Sequence, residues 1–538
     1  MTTQPDIDAV VAGAGFGGIY MCKNLVAQGL SVKVVEAAPD VGGTWYWNRY
    51  PGALSDTRSF LYRYSWDLED LREYPWPREY LKQPEILAYL RHVVERHDLR
   101  QYMQFNTEMQ GATYDSDRNW WIVSLSSGEQ LTARYVVTAV GLLSKINYPD
   151  IPGLDSFRGE MYHTGSWPAS YDFAGKRVGV IGNGSTGVQL ITALADQDVK
   201  QLLSFQRHPQ YVVPAGDAEI SSATREDIDK HWEEIWAEVK DSTFGFGFEE
   251  SATPTFSVSE EDRERIFEDA WSKGGGFYFM FGTFCDISTN EEANKATAEF
   301  IRRKIRQKVT DPVKAEKLMP YDWYARRPLC DTGYYEKFNR PNVDVVDIKT
   351  HPITRISDKG IHTADGVEYE LDVLIFATGF DAVDGNYKRM SIQGASNETL
   401  QSRWKEEPSS FLGVSVPGFP NLFSILGPNS PFTNLPPLIE VQVEFISDII
   451  AHASKTTPAG SGARGPRIEA DPAALSDWIG KCDELSAGSL FRKTDSWIFG
   501  ANVAGKKPSV LFYFGGLTMY RRALRDIVQS GYKEFSFA

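Results

Sequence analysis

Two stretches of the chain share the same order of apolar and polar positions. The first has an apolar strand at Asp8–Ala12, a glycine-rich turn, a helix and a second apolar strand at Ser31–Val35. The other repeats that order, with strands at Val178–Ile181 and Leu202–Phe205. A strand, a turn and a helix that returns to a strand are typical of a βαβ unit with parallel strands. The pattern therefore predicts an α/β chain with two such units.

The segment between the second unit and a later block of strands is charged and has helical periodicity. Thr224 and Asp227 predict a capped helix start, and one apolar face follows, formed by Ile228, Trp232, Ile235, Trp236 and Val239. Ser259 with Asp262 repeats the start signal, and Asn290 predicts the start of a third helix. Strand character returns at residues 343–346 and 370–377. We expect a helical insertion within the second unit.

The composition narrows the classes of partner. A formal charge of -16 disfavours nucleic acid and anionic membranes, which attract cationic surfaces. The four cysteines are far apart and form no Cys-x-x-Cys pair, so we expect neither a disulfide framework nor a metal site. The start of the sequence lacks a signal-peptide pattern and no run of 18 apolar residues occurs, which predicts a cytoplasmic protein. A small neutral substrate fits this composition better.

The first glycine-rich turn has the spacing of a dinucleotide site. Gly13, Gly15 and Gly18 lie between a strand and a helix, where they permit a tight turn, close approach of a pyrophosphate and packing of the helix on the strand. Glu36 ends the next strand, where a carboxylate accepts hydrogen bonds from ribose hydroxyls and disfavours a 2′-phosphate. The turn therefore predicts a site for FAD or NAD.

The second turn has the same spacing and a different strand end. Gly182, Gly184 and Gly187 follow the strand, and Arg207 stands where the first unit has its acid. Arginine in place of a carboxylate is the change expected for NADP over NAD. Two cofactors in one chain indicate NADPH reducing FAD, and the absence of a Cys-x-x-Cys pair argues against a disulfide reductase.

One further segment carries a specific resemblance. Phe157-Arg158-Gly159-Glu160-Met161-Tyr162-His163-Thr164-Gly165-Ser166-Trp167-Pro168 resembles the fingerprint of Baeyer-Villiger monooxygenases. Flavin monooxygenases that oxygenate nitrogen or sulfur typically have another aromatic residue in place of Trp167. The similarity covers nearly the whole chain and is strongest to cyclohexanone monooxygenase-like members.

The resemblance implies a reaction and its catalytic residues. A cyclic ketone would be converted to an ester or lactone by NADPH and O2 through a flavin C4a-peroxide. Arg327 would be the active-site arginine, and Asp56 would orient it and also contact cofactor. A guanidinium suits that task because it stays protonated and offers several donors in one plane. His163 would belong to a hinge between the nucleotide domains, at neither strand end.

The resemblance also implies contacts with cofactor and substrate. The remaining cofactor residues it predicts are Thr44, Trp45, Ser185, Thr186, Gln189, Arg326 and Trp497. Arg326 replaces the lysine that close relatives commonly use for the NADP phosphate. The ketone pocket would be lined by Phe279, Phe432, Leu435 and Phe512, and prolines 436 and 437 would direct an apolar helix at the flavin.

The domain plan follows from these motifs. We expect two Rossmann-type domains and a helical insertion, with an FAD domain in two parts (1–145 and 383–538), a linker with the fingerprint (146–175), an NADPH domain in two parts (176–216 and 326–382) and the insertion at 217–325. The expected partners are a small-molecule ketone and O2, with the protein a monomer or weak homo-oligomer.

Two rival functions stay open at this point. A heteroatom oxygenase would use the same cofactors, although Trp167 favours a ketone. A non-catalytic NADPH-responsive and FAD-binding sensor would keep the fold without turnover, which the presence of Asp56 and Arg327 argues against.

Overall fold

The chain is organised around two sheets in the computed structural model, which describes residues 4–456, 465–503 and 505–538. The strands are, in chain order, β1 (Ile7–Ala12), β2 (Val32–Val35), β3 (Met103–Gln104), β4 (Met109–Asp115), β5 (Trp120–Leu125), β6 (Gln130–Thr138), β7 (Glu160–His163), β8 (Arg177–Ile181), β9 (Gln201–Gln206), β10 (Val212–Pro214), β11 (Leu329–Asp331), β12 (Val343–Asp347), β13 (Ile353–Ile356), β14 (Gly360–Thr363), β15 (Glu368–Glu370), β16 (Val373–Phe376), β17 (Ser391–Gln393), β18 (Leu422–Ser424), β19 (Ser430–Pro431), β20 (Ile468–Ala470), β21 (Phe512–Tyr513) and β22 (Phe535–Phe537). The helices are α1 (Phe16–Ala27), α2 (Thr44–Trp47), α3 (Leu68–Glu73), α4 (Gln83–Arg96), α5 (Ser185–Ala195), α6 (Ser222–Lys230), α7 (Trp232–Asp241), α8 (Glu260–Lys273), α9 (Glu291–Lys308), α10 (Pro312–Lys317), α11 (Tyr334–Lys337), α12 (Leu400–Arg403), α13 (Leu435–Thr456), α14 (Pro472–Ala487) and α15 (Gly516–Gln529).

The larger sheet contains the first nucleotide unit. Its order is β17-β4-β5-β6-β1-β2-β3, and β18 also pairs with β6. The central strand β1 pairs in parallel with β2 and β6, and its last four residues are buried, as expected for a strand covered on both faces. Strands β17 and β18 come from the late part of the chain, which supports the predicted return of residues 383–538 to this domain.

The smaller sheet contains the second nucleotide unit and is entirely parallel. Its order is β12-β9-β8-β16-β7. The edge strand β7 comes from the segment predicted as a linker, because the fingerprint residues 160–163 pair with β16. His163, predicted to lie at neither of the strand ends where the cofactors bind, is the last residue of the edge strand β7.

The helical insertion lies between β10 and β11, which pair with each other in parallel. Ser259 and Asn290 cap α8 and α9 as predicted, each accepting a backbone N–H. The predicted cap at Thr224 is wrong, because Ser221 accepts the N–H of Thr224 and α6 begins at Ser222. The apolar face also spans two helices, since α6 ends before His231 and α7 begins after it.

The two nucleotide domains meet at a close backbone contact. Gly52 of the first domain has φ +83°, and a Cβ there would lie 2.6 Å from the carbonyl oxygen of Gln189 in α5. The Gln189 side chain accepts from the hydroxyl of Tyr50 (2.8 Å) and donates to the carbonyl of Leu54 (3.2 Å). The 50–54 segment is thereby held against the second domain.

Two kinds of feature are absent from the described ranges. None of their helices combines the length and apolar character needed to cross a bilayer. No group of three or more His, Cys, Asp and Glu side chains in the same ranges is arranged to hold a metal ion.

Candidate active site

A long cleft follows the carboxyl end of β1. It has a volume of about 1580 Å³ including its open mouth. Predicted cofactor residues line it, namely Gly13, Gly15, Glu36, Thr44 and Trp45. We call this the flavin cleft, because a dinucleotide with an isoalloxazine ring needs a space of this length.

The turn at the head of this cleft fits a pyrophosphate. A Cβ at Gly15 would approach the Cα of Gly43 to 3.4 Å, in the space where the turn faces the α2 segment. Gly18 does not line the cleft: it packs α1 on β1, and a Cβ there would collide with the carbonyl of Gly13, in agreement with its predicted packing role. Backbone N–H groups at a helix N-terminus suit an anion.

Glu36 lies buried at the ribose position. Its two carboxylate oxygens accept the backbone N–H groups of Ala14 (2.7 Å) and Ala38 (2.8 Å). Burial raises the pKa of Glu36, and these hydrogen bonds oppose the rise. Each carboxylate oxygen has a further lone pair for a ribose hydroxyl. The residues of the cleft therefore fit FAD.

Helix α13 starts at the inner end of the same cleft. Leu435, Pro436 and Ile439 of its first turn line the cleft, as the predicted direction of this helix requires. A helix N-terminus carries partial positive charge and stabilises a nearby anion. Leu435, predicted in the ketone pocket, thus borders the flavin cleft.

The second glycine-rich turn opens towards solvent. Gly184 is exposed and Ser185 and Thr186, the first residues of α5, are half-buried. Gly182 has φ +100°, and Gly187 packs against it. Gln189 is buried and its side chain holds the 50–54 segment; its contact with the nicotinamide nucleotide stays a prediction.

Cationic side chains gather at the end of β9. Arg207 follows β9 and is exposed. Arg326 donates to Asp322 (3.0 Å) and to the carbonyl of Asp495 (3.3 Å). His208 lies 3.0 Å from the same aspartate. The charges of Arg207 and Arg326 both act on His208, so the two guanidinium groups belong to one cluster, which suits a phosphate.

Arg327 and Asp56 form a two-point ion pair. Nη1 and Nη2 of Arg327 lie 2.5 and 2.8 Å from the two carboxylate oxygens of Asp56. Burial alone would lower the pKa of Arg327, but the charge and hydrogen bonds of Asp56 raise it above its usual value. The side chains are 25% and 13% exposed, so the pair still faces an opening. Asp56 does not border the flavin cleft.

The opening beside the pair is lined by aromatic rings. A cleft of about 720 Å³, including its open mouth, lies between Asp56, the helical insertion and Tyr80. Phe246 and Phe277 stack at its wall, with ring centroids 4.0 Å apart and planes 21° apart. The guanidinium of Arg327 lies 5.1 Å from the centre of the Phe277 ring, within the range of a cation–π contact. We call this space the aromatic cleft.

The structure separates the four residues predicted for the ketone pocket. Phe279 does not line the aromatic cleft: it is fully buried among Phe267, Trp271, Phe300 and Tyr324 in the core of the insertion. The π-helical turn at residues 278–282 directs this side chain inwards while Phe277 faces Arg327. The sequence signal for Phe246 was the alternation of phenylalanine with glycine at 244–248, and that for Phe277 was the run of three glycines and three aromatic residues at 274–279.

Phe432 and Phe512 lie in another cluster with Trp497. The ring centroids of Phe432 and Phe512 are 5.8 Å apart, and those of Trp497 and Phe512 are 5.7 Å apart. The hydroxyl of Thr494 donates to the carbonyl of Ala325 (2.9 Å). The segment that carries Trp497 is therefore attached directly beside the two arginines at 326 and 327.

The fingerprint residues lie where the domains meet. Trp167 is buried and its ring lies 6.5 Å from that of Tyr50. His163 is buried, which lowers its pKa to about 4, and its Nδ1 accepts the N–H of Gly165 (3.0 Å). The imidazole is therefore neutral at physiological pH, as expected of a residue without an acid–base task.

Comparison with known proteins gives a consistent assignment. The family "Flavin-binding monooxygenase-like" matches residues 8–215. The chain is 52% identical over 532 residues to a Baeyer-Villiger monooxygenase of Pseudooceanicola batsensis (99% of this chain, 96% of that protein). It is 49% identical over 529 residues to the phenazine N-monooxygenase PhzNO1 of Lysobacter antibioticus (98% and 96%).

A solved structure gives the same result for the fold. The crystal structure of cyclohexanone monooxygenase from Rhodococcus sp. Phi1 bound to NADP+ superposes with a TM-score of 0.96 at 55% identity, covering 99% of both chains. The predicted fold class and the predicted FAD and NADPH cofactors are confirmed. Identity of about half the residues along nearly the whole chain shows that this protein belongs to the Baeyer-Villiger monooxygenases, flavin-dependent enzymes that oxidise ketones with NADPH.

Proposed function

We propose that this enzyme inserts one oxygen atom of O2 next to the carbonyl of a cyclic ketone bound in the aromatic cleft. The balanced reaction consumes ketone, NADPH, O2 and a proton, and yields a lactone, NADP+ and water. The observation that carries the proposal is the Arg327–Asp56 ion pair, whose aspartate lines that cleft. Reduced FAD, when bound, supplies the activated oxygen.

Arg327 is proposed to polarise the carbonyl. Its guanidinium is held by both oxygens of Asp56, so its orientation does not change as charge develops on the substrate oxygen. Donors fixed in advance towards a developing negative charge lower the barrier without reorganising during the reaction. Asp56 acts through this orientation.

The aromatic walls are proposed to bind the ring of the ketone. Phe246 and Phe277 offer apolar faces and are themselves largely buried. Displacement of water from these faces by a cyclic hydrocarbon is therefore favourable. Water exclusion also strengthens the electrostatic effect of Arg327, because the local dielectric constant falls. Phe432 and Phe512 are proposed to complete the pocket from the Trp497 side.

The cofactor roles of single residues belong to the same proposal. Gly13, Gly15 and Glu36 bind the pyrophosphate and ribose of FAD, with Thr44 and Trp45 along the cleft, and Arg207 with Arg326 binds the 2′-phosphate of NADPH. Gly182, Gly184, Ser185, Thr186 and Trp497 border the rest of that nucleotide. Cytoplasmic location and a monomeric or weakly associated state also remain proposals.

The proposal is tested by product analysis. Purified holoenzyme with NADPH and cyclohexanone should form the seven-membered lactone, with one NADPH consumed for each product molecule. A planar heteroaromatic amine is the rival substrate, because a 49% identical relative is named a phenazine N-monooxygenase. N-oxide as the dominant product, with no lactone, would reject the ketone assignment. NADPH-reducible flavin with no product from either class would favour the sensor.

A further inference from the structure

Asp322 is an acidic side chain inside the cationic cluster at the end of β9. One of its carboxylate oxygens, Oδ2, lies 3.0 Å from Nη2 of Arg326 and 3.0 Å from Nδ1 of His208. A carboxylate beside a phosphate site repels the phosphate. Its contribution to binding therefore has to come from what it does to the neighbouring cations.

The backbone of Asp322 is held in place from the insertion and from the nucleotide domain. The hydroxyl of Tyr211 donates to the carbonyl oxygens of Asp322 (2.6 Å) and Pro320 (3.2 Å). Two residues further on, the N–H of Tyr324 donates to the side chain of Asn294 in α9 (2.9 Å). The carboxylate is thus presented from a fixed turn.

Arg326 lies four residues after Asp322 and is fixed at two points. Nη2 donates to the aspartate, and Nε donates to the carbonyl of Asp495. A long guanidinium side chain that is already ordered loses less conformational entropy when an anion binds. His208, the residue that follows Arg207, has its Nδ1 3.0 Å from the same carboxylate.

The cluster keeps an excess of positive charge despite the aspartate. Arg207, Arg326 and Lys349 are cationic around one carboxylate. Burial would raise the pKa of Asp322, but the hydrogen bond and charge of Arg326, with the charges of His208 and Lys349, lower it overall. The Asp322 carboxylate is therefore ionised at neutral pH.

We propose that Asp322 is a positioning residue that holds Arg326 ready for the 2′-phosphate and so makes the enzyme select NADPH over NADH. This inference rests on the proposed role of Arg326 as a phosphate ligand. If Asp322 acted through its charge alone, its removal would strengthen NADPH binding; if it positions Arg326, its removal weakens binding. The two roles predict changes of opposite sign.

The test measures anaerobic reduction of the flavin in the full-length holoenzyme. Flavin absorbance monitors the reduction at increasing concentrations of NADPH or NADH. For Asp322→Asn we expect the apparent Kd for NADPH to rise about tenfold, the size of one hydrogen bond to a charged group, while that for NADH changes less than about twofold. Asp322→Glu should recover part of the loss. Asp229→Asn is the matched control, since Asp229 also pairs with an arginine four residues away, Arg225, in α6 (2.9 Å).

A double-variant cycle shows whether the effect passes through Arg326. In an Arg326→Met background, Asp322→Asn should cause no further loss of NADPH affinity, because the group that it positions is gone. Tighter NADPH binding in Asp322→Asn, equal losses for NADPH and NADH, or full additivity with Arg326→Met would each overturn the proposal. An unchanged NADPH affinity in Arg326→Met alone would instead reject the phosphate role of Arg326, and with it the positioning role. Lactone formation is measured in a separate assay, so the ketone assignment is tested independently of the role of Asp322.

Discussion

Replacing Arg327 with alanine removes the guanidinium that the proposed mechanism uses. The variant leaves Asp56, a carboxylate that is only 13% exposed, without the guanidinium that holds both of its oxygens. Two effects should follow together, namely loss of catalysis and loss of stability. The two effects can be separated, because the catalytic loss comes from the missing guanidinium and the stability loss from the unpaired Asp56 carboxylate.

The catalytic loss can be bounded from the geometry. Removing one fixed donor from an oxyanion-type site typically costs roughly 10²–10³ in kcat. The guanidinium of Arg327 has further N–H groups in the same plane as the two that Asp56 accepts, so we expect a loss of lactone formation of about 10³-fold, equivalent to about 4 kcal/mol. Arg327→Lys keeps the charge but not the planar fork, and should fall between the parent and the alanine variant.

The stability loss comes from the unpaired carboxylate. Breaking a buried ion pair by removing one partner costs about 3–5 kcal/mol, and we expect about 3 kcal/mol here because a quarter of the Arg327 side chain is exposed. Asp56→Asn combined with Arg327→Met removes both charges. This double variant should regain most of the stability and none of the activity.

The assay measures lactone by gas chromatography and NADPH by absorbance in the same reaction, with urea unfolding for stability. We expect NADPH consumption to continue while lactone per NADPH falls, because the cofactor sites do not contain Arg327. Lactone formation at the parent rate in the alanine variant would show that the proposed mechanism is wrong. So would recovery of activity in the double variant.

Three further predictions concern the domain contact, coenzyme selection and a buried acid. Gly52→Ala should lower the free energy of unfolding by about 1–3 kcal/mol more than Gly29→Ala, which has a similar φ of +82° but nothing within 4 Å; equal losses in urea unfolding would contradict the close contact. Arg207→Ala should raise the KM for NADPH about 10- to 100-fold while leaving that for NADH nearly unchanged, and parallel changes in steady-state kinetics would argue against a phosphate role. Burial raises the pKa of Glu440 from 4.5 to about 7, so between these values the folded protein retains a proton that the unfolded chain has lost, and stability falls by up to about 3 kcal/mol as pH rises through this window. Glu440→Gln should flatten that slope in unfolding titrations from pH 5 to 8, and an unchanged slope would assign it to other groups.

Much of the fold could be predicted because its signals are local. The turn at Gly13 and the strand end at Glu36 lie within one βαβ unit, so spacing alone indicates a nucleotide site. The caps at Ser259 and Asn290 were predicted for the same reason, since a cap bonds to N–H groups two or three residues away. Thr224 failed as a cap because Ser221 offers an equivalent hydroxyl one turn earlier, and packing selects between them.

The aromatic residues show what local sequence signals cannot predict. A phenylalanine near the active site in sequence has the same apolar character whether it faces a core or a cleft. Phe279 and Phe277 are two residues apart, yet the first lies in the core of the insertion and the second under Arg327. Gln189 similarly had the expected position on α5 but contacts the other domain.

The sequence by itself determined the two nucleotide units, the exchange of Glu36 for Arg207 between them, and the family, because each depends on short-range spacing or on residue identity. The family resemblance implied that Asp56 meets Arg327, and the tertiary structure gave the contact across 271 positions; only the tertiary structure decided that Asp322 lies between Arg326 and His208. Such contacts depend on how separate elements pack, since the free energy that brings distant side chains together comes from burial of the whole core and leaves no periodic trace at either residue.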